Sequence, residues 1–477
     1  MIEGLKPYAD SAKTKPMTRT SEINIPWLTA IPEHWKIVRS KGLFTARTER
    51  ARPDDEQLSA TQAYGVIPQK EFENRVGRKV VRITQNLEKR AHVEPDDFVI
   101  SMRSFQGGLE RAWARGCIRS SYVVLKPSPE TEVGYFAHLF KSVDYIRALQ
   151  ATSNFIRDGQ DLNFNNFSLV DLPLPPLDEQ AAIAKCLDHA NRKIDGFIRA
   201  KRKLIGLLNE QKQAIIHRAV TRGLDADAPL KPSGIPWLGE IPAHWEVRRL
   251  RFCIRGKLTY GANAAAEFDN PDWPRYLRIT DFNGDGSLRP DTFRSLPPEI
   301  AKDYPVEDGD ILFARSGATV GKAFIVRTET VKACYAGYLI RARPNTDVVM
   351  PPFLFAFTQS TAFVRWKDAI FNRATIQNIG ADKYANLVVP IPLITEQQSI
   401  LDAIEIDLLP LRTAITRTER EIALMQEYCT RLTADIVTGK LDVREAAAKL
   451  PDLPTDSAGE VLTDEALDDS ETEDAEA

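Results

Sequence analysis

The chain has 477 residues, of which 43% are hydrophobic and 27% are charged. This length is too great for one hydrophobic core and predicts two or three domains. No apolar run approaches the ~20 residues of a membrane helix, and the first 24 residues contain no apolar signal segment. The five cysteines form no CxxC pair, which argues against a zinc module and predicts a cytoplasmic protein.

The net charge of −3 hides an uneven distribution. Residues 452–477 contain eleven acidic residues and no lysine or arginine, so the rest of the chain carries about +8. Low hydrophobicity and high charge predict a disordered tail. A mildly basic body is compatible with a polyanionic partner.

One motif occurs twice. Residues 25–35 read IPWLTAIPEHW, and residues 235–245 read IPWLGEIPAHW. Such a match indicates internal duplication. We interpret the tryptophans as packing anchors and the histidines beside them as hydrogen-bonded structural residues, with stacking on nucleic-acid bases as the alternative.

A long amphipathic helix follows in each copy. Residues 173–180 (PLPPLDEQ) and 390–397 (PIPLITEQ) share a proline-rich start before Glu-Gln, with apolar residues then alternating at spacings of four and three. The first helix is expected to start with Asp178 as N-cap and to stop at Gly223. At ~1.5 Å per residue, about 45 residues span roughly 67 Å.

The two helices carry opposite charge. Residues 178–222 contain ten basic and five acidic residues, whereas residues 395–440 contain five basic and eight acidic ones. This difference favours pairing of one helix with the other. Pro410 is expected to kink the second helix or to split it near Leu409.

Between each Trp/His motif and its helix lie segments of mixed character. Short strands are predicted at residues 78–84, 97–102 and 120–126, and at 276–280, 310–315, 323–327 and 336–342, with helices at 133–151 and near 352–369. We therefore predict an α/β fold with two tandem duplicated domains separated by two long antiparallel coiled-coil helices. The predicted division is an N-terminal extension (1–24), domain 1 (25–172), a central helix (173–225), domain 2 (226–389), a C-terminal helix (390–443) and the acidic tail (444–477).

The sequence contains no complete catalytic motif of the kinds considered below. Residues 317–323 (GATVGKA) are too short for a phosphate loop and lack its Ser/Thr, and residues 350–353 (MPPF) lack the Asn or Asp of an amino-methyltransferase site. The sequence contains no GxSxG or HExxH motif. We therefore expect neither enzyme activity nor a cofactor.

Polar and basic loops beside the predicted strands are the remaining candidates. Arginine and glutamine can bind base edges in DNA, and lysine and small polar groups can bind phosphates. Each loop alone could be an ordinary solvated loop, but their similar placement in both copies favours nucleic acid. The candidate DNA-binding residues are Gln62, Tyr64, Arg103, Ser104, Gln106, Arg111, Arg278, Thr280, Asn283, Arg315, Ser316, Thr319 and Lys322.

Together, the Trp/His motif, the strand end DILFARSG, the PxPxxxEQ helix start and the Val-Thr…Leu-Asp helix end resemble the specificity subunit of type I restriction–modification systems over residues 25–443. The resemblance implies two target-recognition domains, each recognising one half of a split double-stranded DNA sequence. It also implies paired helices that set the gap and dock methyltransferase subunits, two of them, with restriction and translocase subunits joining through the complex. The candidate docking residues are Glu179, Gln180, Ile183, Leu187, Glu396, Gln397, Ile400 and Ile404.

Two alternatives stay open at this stage. A coiled-coil scaffold that binds only proteins would explain the helices but not the paired basic loops. An enzyme with an unrecognised methyltransferase or nuclease site would need motifs that are not apparent. Under the favoured hypothesis, Arg103→Ala should alter one DNA half-site and Arg315→Ala the other.

Overall fold

The structure is a computed structural model that describes residues 5–8, 14–16, 27–28, 30–77, 79–80, 87–101, 104–152, 163–283, 287–317, 319–327, 332–371 and 378–452. The chain divides into two compact units. Unit 1 comprises residues 1–201 and 420–477, and unit 2 comprises residues 202–419. Both units mix strands and helices, which confirms the α/β prediction.

Unit 1 is built on a four-stranded antiparallel sheet with the order Glu110–Arg111, Phe98–Ile100, Val123–Pro127 and Phe44–Ala46. Its other strands are Lys6–Pro7, Thr14–Pro16, Ala30–Pro32, Lys36–Arg39, Leu58–Thr61, Gly65–Pro68, Ala91–Val93, Gly116–Ile118, Asp171–Leu174 and Leu441–Asp442. Its helices, besides the long ones, are Ser40–Leu43, Gln69–Val76, Leu87–Lys89 (3-10), Ser104–Gly107, Val133–Lys141, Val143–Gln150, Phe164–Ser168 and Arg444–Ala448.

Unit 2 repeats this sheet in the order Ala323–Ile325, Ile311–Ala314, Leu339–Ala342 and Thr259–Tyr260, again antiparallel. Its other strands are Leu230–Pro232, Glu240–Pro242, Glu246–Arg249, Arg275–Leu277, Ala333–Tyr335 and Val388–Ile391. Its helices, besides the long ones, are Leu250–Phe252 (3-10), Ile279–Asp281 (3-10), Pro290–Thr292 (3-10), Pro298–Ala301, Pro351–Thr358, Thr361–Phe371 and Ala381–Ala385.

A strand pair closes each globular part. In unit 1, Lys36–Arg39 pairs antiparallel with Asp171–Leu174, and in unit 2, Glu246–Arg249 pairs in the same way with Val388–Ile391. The first strand of each pair follows the Trp/His motif and the second leads into the long helix. Each globular part therefore begins and ends beside the start of its helix.

The first long helix is Leu177–Arg222, and the second is Ile394–Val437. Within unit 1 they run antiparallel, because Asn191 contacts Cys429 at 3.2 Å and Lys201 pairs with Glu421 at 2.7 Å. Within unit 2, Ile216 and Val220 of the first helix share a core with Ile400, Ile404 and Leu408 of the second. The predicted antiparallel pairing is confirmed.

Several sequence expectations need correction. The first helix begins at Leu177, so Asp178 lies in its first turn instead of capping it. The predicted stop is confirmed, since Gly223 follows the helix with a φ of 72°. The helix predicted at 133–151 is two helices, because Ser142 ends one and caps the next by accepting from the Tyr145 amide. Strand Ala333–Tyr335 was not foreseen, and the predicted strand at 78–84 lies mostly outside the described residues.

Pro410 does not split the second helix, which continues through it as 44 residues. The proline lies on the exposed face, and Ile406, four residues earlier, is 72% exposed. Water can therefore satisfy the Ile406 carbonyl that loses its intrahelical donor.

Residues 444–452 also differ from the prediction, because they are not part of an unstructured tail. Helix Arg444–Ala448 buries Ala446 and Ala447, and strand Leu441–Asp442 pairs with Lys6–Pro7 from the N-terminal extension. Tyr8, 1% exposed, joins the same core. The remainder of the predicted tail, residues 453–477, lies outside the described residues.

Candidate nucleic-acid interface

A glutamate in the first turn of each long helix binds the tryptophan and the histidine of the Trp/His motif in the same unit. In unit 1, the Trp35 indole donates to Glu179 Oε1 at 3.0 Å, and His34 Nε2 lies 2.7 Å from Oε2. In unit 2, Trp245 donates to Glu396 Oε1 at 2.9 Å, and His244 Nε2 lies 3.0 Å from Oε2. The tryptophans and histidines thus act as structural anchors.

Burial changes the acidity of the first of these glutamates. The Glu179 side chain is 2% exposed, and loss of water around the carboxylate raises its pKa to about 7. The carboxyl group therefore titrates near neutral pH beside a histidine.

The glutamine that follows each glutamate bridges three main-chain groups. Gln180 accepts from the Glu132 amide at 2.8 Å and donates to the Glu130 and Pro175 carbonyls at 3.1 and 2.9 Å. Gln397 accepts from the Met350 amide at 2.8 Å and donates to the Val348 and Pro392 carbonyls at 3.0 and 2.9 Å. We call these two side chains the glutamine bridges. They fix the helix start to the segment before helices Val133–Lys141 and Pro351–Thr358.

The eight candidate docking residues are mostly buried inside their own units. Glu179, Gln180, Ile183, Leu187, Gln397, Ile400 and Ile404 are buried, whereas Glu396 is half-buried. Their contacts are with residues of this chain. Docking of a partner at these positions stays a prediction, and it would involve the exposed residues around them.

The second repeated feature is an aspartate at the start of the central strand of each sheet. Arg47 donates to Asp97 through Nε at 2.8 Å and Nη2 at 2.9 Å, and Arg343 donates to Asp310 through Nε and Nη2, both at 2.9 Å. Burial raises the pKa of Asp97, and its hydrogen bonds raise the pKa of Arg47. Two arginines at different places in the sequence thus orient equivalent strands.

In unit 1 the structure brings together two of the predicted loops. A Cβ on Gly107 would lie 2.3 Å from the Gln62 amide carbon, so the turn at residues 61–65 packs against helix Ser104–Gly107. Gln106 is exposed and Gln62 is half-buried. Ser104 is buried and accepts from the Ser101 amide at 2.9 Å, and Tyr64 is 4% exposed under Arg75. Arg103 lies outside the described residues.

Two neighbouring side chains contact the Arg111 guanidinium. Its Nη2 lies 2.6 Å from Asp96, and its guanidinium lies 4.3 Å from the centre of the Trp113 ring. The indole itself is 39% exposed. Trp113, which the sequence did not single out, is therefore the more accessible group at this position.

In unit 2 the first predicted segment is also internally paired. Arg278 donates to Asp281 at 2.7 Å and to the Thr292 carbonyl at 2.8 Å, and Asp281 is fully buried. Asn283 is exposed and donates to Ser287 at 2.8 Å. Thr280 is exposed, and Phe282 stacks on Phe324 with ring centres 4.2 Å apart. The segment therefore packs against the hairpin that contains the other unit 2 candidates.

Arg315 differs from these arginines. Its guanidinium lies 4.9 Å from the centre of the Tyr260 ring, its buried Nε has no hydrogen-bond partner, and no acid among the described residues pairs with it. Ser316 and Thr319 are half-buried and Lys322 is exposed in the same hairpin. Two exposed tyrosines lie beside it, since Tyr260 is 43% and Tyr338 is 64% exposed.

The described part of the chain contains neither a candidate metal site nor a candidate membrane helix. No group of three or more histidine, cysteine, aspartate or glutamate residues there could hold a metal ion. Among the same residues, no helix is long and apolar enough to cross a membrane.

Comparison with known proteins decides the family. The model of the type I restriction modification DNA specificity domain matches residues 32–204 and 242–420, one segment in each copy of the duplication. The chain belongs to this family. It is thus a DNA specificity subunit with two target-recognition domains, a non-catalytic component of a type I restriction–modification complex that binds DNA.

Individual relatives support the same family assignment. The chain is 24% identical over 424 residues to the type I restriction enzyme MjaVIII specificity subunit of Methanocaldococcus jannaschii, covering 87% of this chain and 94% of that protein. It is 25% identical over 344 residues to the EcoKI specificity subunit of Escherichia coli strain K12, covering 68% and 71%. One chain of a solved type I system, studied for complex assembly and conformational transition, shares the fold with a TM-score of 0.59 at 16% identity, covering 86% of this chain and 99% of that one.

Proposed function

We propose that each unit of this specificity subunit recognises one half of a bipartite, asymmetric DNA target. The observation that carries the proposal is that the two units share their framework but not their exposed loops. Both have the glutamine bridge, the Trp/His anchor and the strand-start aspartate. In contrast, unit 1 exposes Trp113 beside an Arg111 that is paired with Asp96, and unit 2 exposes two tyrosines beside Arg315, which no acid of the described residues binds.

Equal frameworks with unequal loops favour two different half-sites. The framework would present each set of loops in a similar way, whereas base recognition depends on the side chains at the loop surface. Besides Arg111 and Arg278, which are half-exposed but paired with acids, the candidates that keep an exposed or half-exposed side chain are Gln62, Gln106, Thr280, Asn283, Arg315, Ser316, Thr319 and Lys322.

We further propose that the long helices set the gap between the half-sites and dock two methyltransferase subunits, with restriction and translocase subunits joining through the complex. Exposed apolar residues on and beside these helices support docking. Leu177 is 51% exposed at the start of the first helix, and Leu393 is 73% exposed just before the second. Ile406 and Leu409, one turn apart, are 72% and 60% exposed. Single exposed apolar residues are common, but Ile406 and Leu409 are neighbours on one helix, and adjacent exposed apolar groups mark surfaces that a partner covers.

The proposed domain boundaries follow the same logic. The pairing of Lys36–Arg39 with Asp171–Leu174 supports a first recognition domain at 25–172, and that of Glu246–Arg249 with Val388–Ile391 supports a second at 226–389. The helices occupy 173–225 and 390–443. We also propose a cytoplasmic location, which is supported by five free cysteines.

The test is to map DNA methylation. The full chain is co-expressed with the methyltransferase subunit of its own system in a host without adenine methylation, and methylated adenines are located across the genome. The methyltransferase subunit expressed alone is the control. A single split motif with two different halves is expected. A continuous or palindromic motif, or no methylation from a complex that does assemble, would refute the proposal.

A further inference from the structure

Two chain segments cross at close range beside Arg315. Ala262 donates its amide to the Tyr335 carbonyl at 2.8 Å, and Gly337 donates to the Ala262 carbonyl at 2.7 Å. A Cβ on Gly261 would lie 2.2 Å from the Tyr335 carbonyl oxygen, so only glycine permits this approach. The crossing fixes the main chain beneath Tyr260 and Tyr338.

Arg315 is held against this crossing by its main chain and by one ring. Its amide donates to the Tyr338 carbonyl at 3.0 Å, and its carbonyl accepts from the Ile379 amide at 2.8 Å. The Tyr260 ring lies under the guanidinium, and the Tyr260 hydroxyl accepts from the Ala381 amide at 3.0 Å. The arginine is thus pre-oriented although no carboxylate of the described residues binds it.

Tyr338 is the most exposed of these side chains. Its main-chain carbonyl accepts a hydrogen bond from the Arg315 amide, so the two residues are neighbours on adjacent chain segments. A large aromatic ring left 64% in water contributes little to folding. An exposed ring and a guanidinium that no described acid binds, on two residues joined by a main-chain hydrogen bond, suit a ligand that has aromatic faces and negative charge. Nucleic acid has both, and the family binds DNA.

We infer that Tyr338 stacks on the face of a nucleobase in the half-site recognised by unit 2, while Arg315, oriented by Tyr260, binds the adjacent nucleotide. This inference rests on the proposed function of unit 2. A base face becomes accessible in duplex DNA where a base step opens, and aromatic or apolar side chains that enter such steps stabilise the opened form. Methyltransferases turn their target base out of the stack and so create an opened step.

The chain offers a matched control for Tyr338. Phe252 is 61% exposed in the same unit and lies under the Arg251 guanidinium at 4.9 Å, but it belongs to the 3-10 helix after strand Glu246–Arg249. Phe252→Ala removes an equally exposed ring beside an equally basic group without touching the Gly261–Gly337 crossing.

The experiment uses the full chain in complex with its methyltransferase subunit and duplexes carrying the mapped target. Binding is measured for the wild type, Tyr338→Ala, Tyr338→Phe and Phe252→Ala, and 2-aminopurine is placed in turn at each position of the unit 2 half-site. Tyr338→Ala should bind the target about 10-fold more weakly than the wild type, because one base stack is lost. Tyr338→Phe and Phe252→Ala should stay within about twofold of the wild type, since neither loses the stacking ring.

One 2-aminopurine position should change its fluorescence on binding of the wild type and Tyr338→Phe but not of Tyr338→Ala. The inference is overturned if Tyr338→Ala binds like Phe252→Ala, or if Tyr338→Phe loses as much as Tyr338→Ala, which would assign the effect to the hydroxyl. Thermal melting of each variant identifies loss of folding. Failure of the proposed function is distinguishable, because then the wild type itself would lack a split target.

Discussion

At the scale of single residues, the state of each arginine separates structural positions from available ones. Arg47, Arg111, Arg278 and Arg343 all have carboxylate partners in the structure. Among the described residues, the Arg315 guanidinium contacts the face of Tyr260 and no carboxylate. A guanidinium bound to a carboxylate has part of its donor edge and its charge engaged, whereas the Arg315 guanidinium meets no acid among the described residues.

Arg315→Ala and Arg278→Ala should therefore have different effects. Arg315→Ala should relax or abolish recognition of the unit 2 half-site while leaving thermal stability within the usual range of a surface substitution, about 0.5 kcal/mol. Arg278→Ala leaves the buried Asp281 without its cation and should destabilise unit 2 by about 3 kcal/mol. Methylation mapping and thermal melting of both variants measure the two effects. Equal losses of stability would contradict the assignment.

Glu179 provides a second residue-scale prediction, because burial raises its pKa from 4.5 to about 7. The folded protein holds this proton more tightly than the unfolded chain, so the resulting stabilisation is complete below pH about 4.5 and is lost as the pH rises through about 7. Glu179→Gln keeps an acceptor for Trp35 and removes the titration. Relative to this variant, the wild type should lose about 2.5 kcal/mol between pH 5 and pH 8 in urea unfolding. Parallel pH profiles would count against the shift.

At the scale of elements, the two helix starts are equivalent joints. Each glutamine bridge ties its helix to the loop before a short helix, and each glutamate ties the helix to the Trp/His motif. Both glutamines are buried, so the Pro-x-Pro-x-x-x-Glu-Gln motif occurs in both copies because it forms the same internal contacts there. The duplicated motif thus encodes a packing arrangement.

Removing one glutamine bridge should loosen one unit only. Gln180→Ala leaves the Glu132 amide without its acceptor and should destabilise unit 1, and Gln397→Ala does the same for the Met350 amide in unit 2, by roughly 2–3 kcal/mol in each case. Hydrogen exchange in helices Val133–Lys141 and Pro351–Thr358 reports on the two units separately. Gln398→Ala is the control, because Gln398 is an exposed neighbour that donates to Asp402 on the same helix. Equal loosening of both helices by either variant would argue against independent joints.

At the scale of the whole molecule, the duplication places one recognition domain at the start of each long helix. The proposal that the helices set the gap follows from their length, 46 and 44 residues, and from their antiparallel pairing within each unit. Pro410 does not interrupt this arrangement, since the second helix continues through it.

Lengthening both helices should therefore change the gap and leave the half-sites unchanged. Seven residues inserted after Lys201 and after Glu419 add two turns, about 10.5 Å, to each helix. At 3.4 Å per base pair, the methylated motif should have a gap longer by about three base pairs. Methylation mapping of the variant measures the gap, and a seven-residue insertion in one helix only is the control expected to disrupt pairing. An unchanged gap in a well-folded variant would reject the spacer role.

The duplication, the two long helices, their pairing and the family could be predicted from the sequence, because repeated motifs and apolar periodicity are local in the chain. Whether each candidate side chain is exposed, buried or already paired could not be predicted. Asp96 and Arg111 lie 15 residues apart, Tyr260 and Arg315 lie 55 apart, and only the folded sheet shows that the first arginine has a carboxylate partner and the second has a tyrosine ring. Tertiary structure also placed Glu179 and Gln180 inside the protein, since Glu179 is hydrogen-bonded by Trp35 from 144 residues away and Gln180 binds the main chain of Glu130 and Glu132.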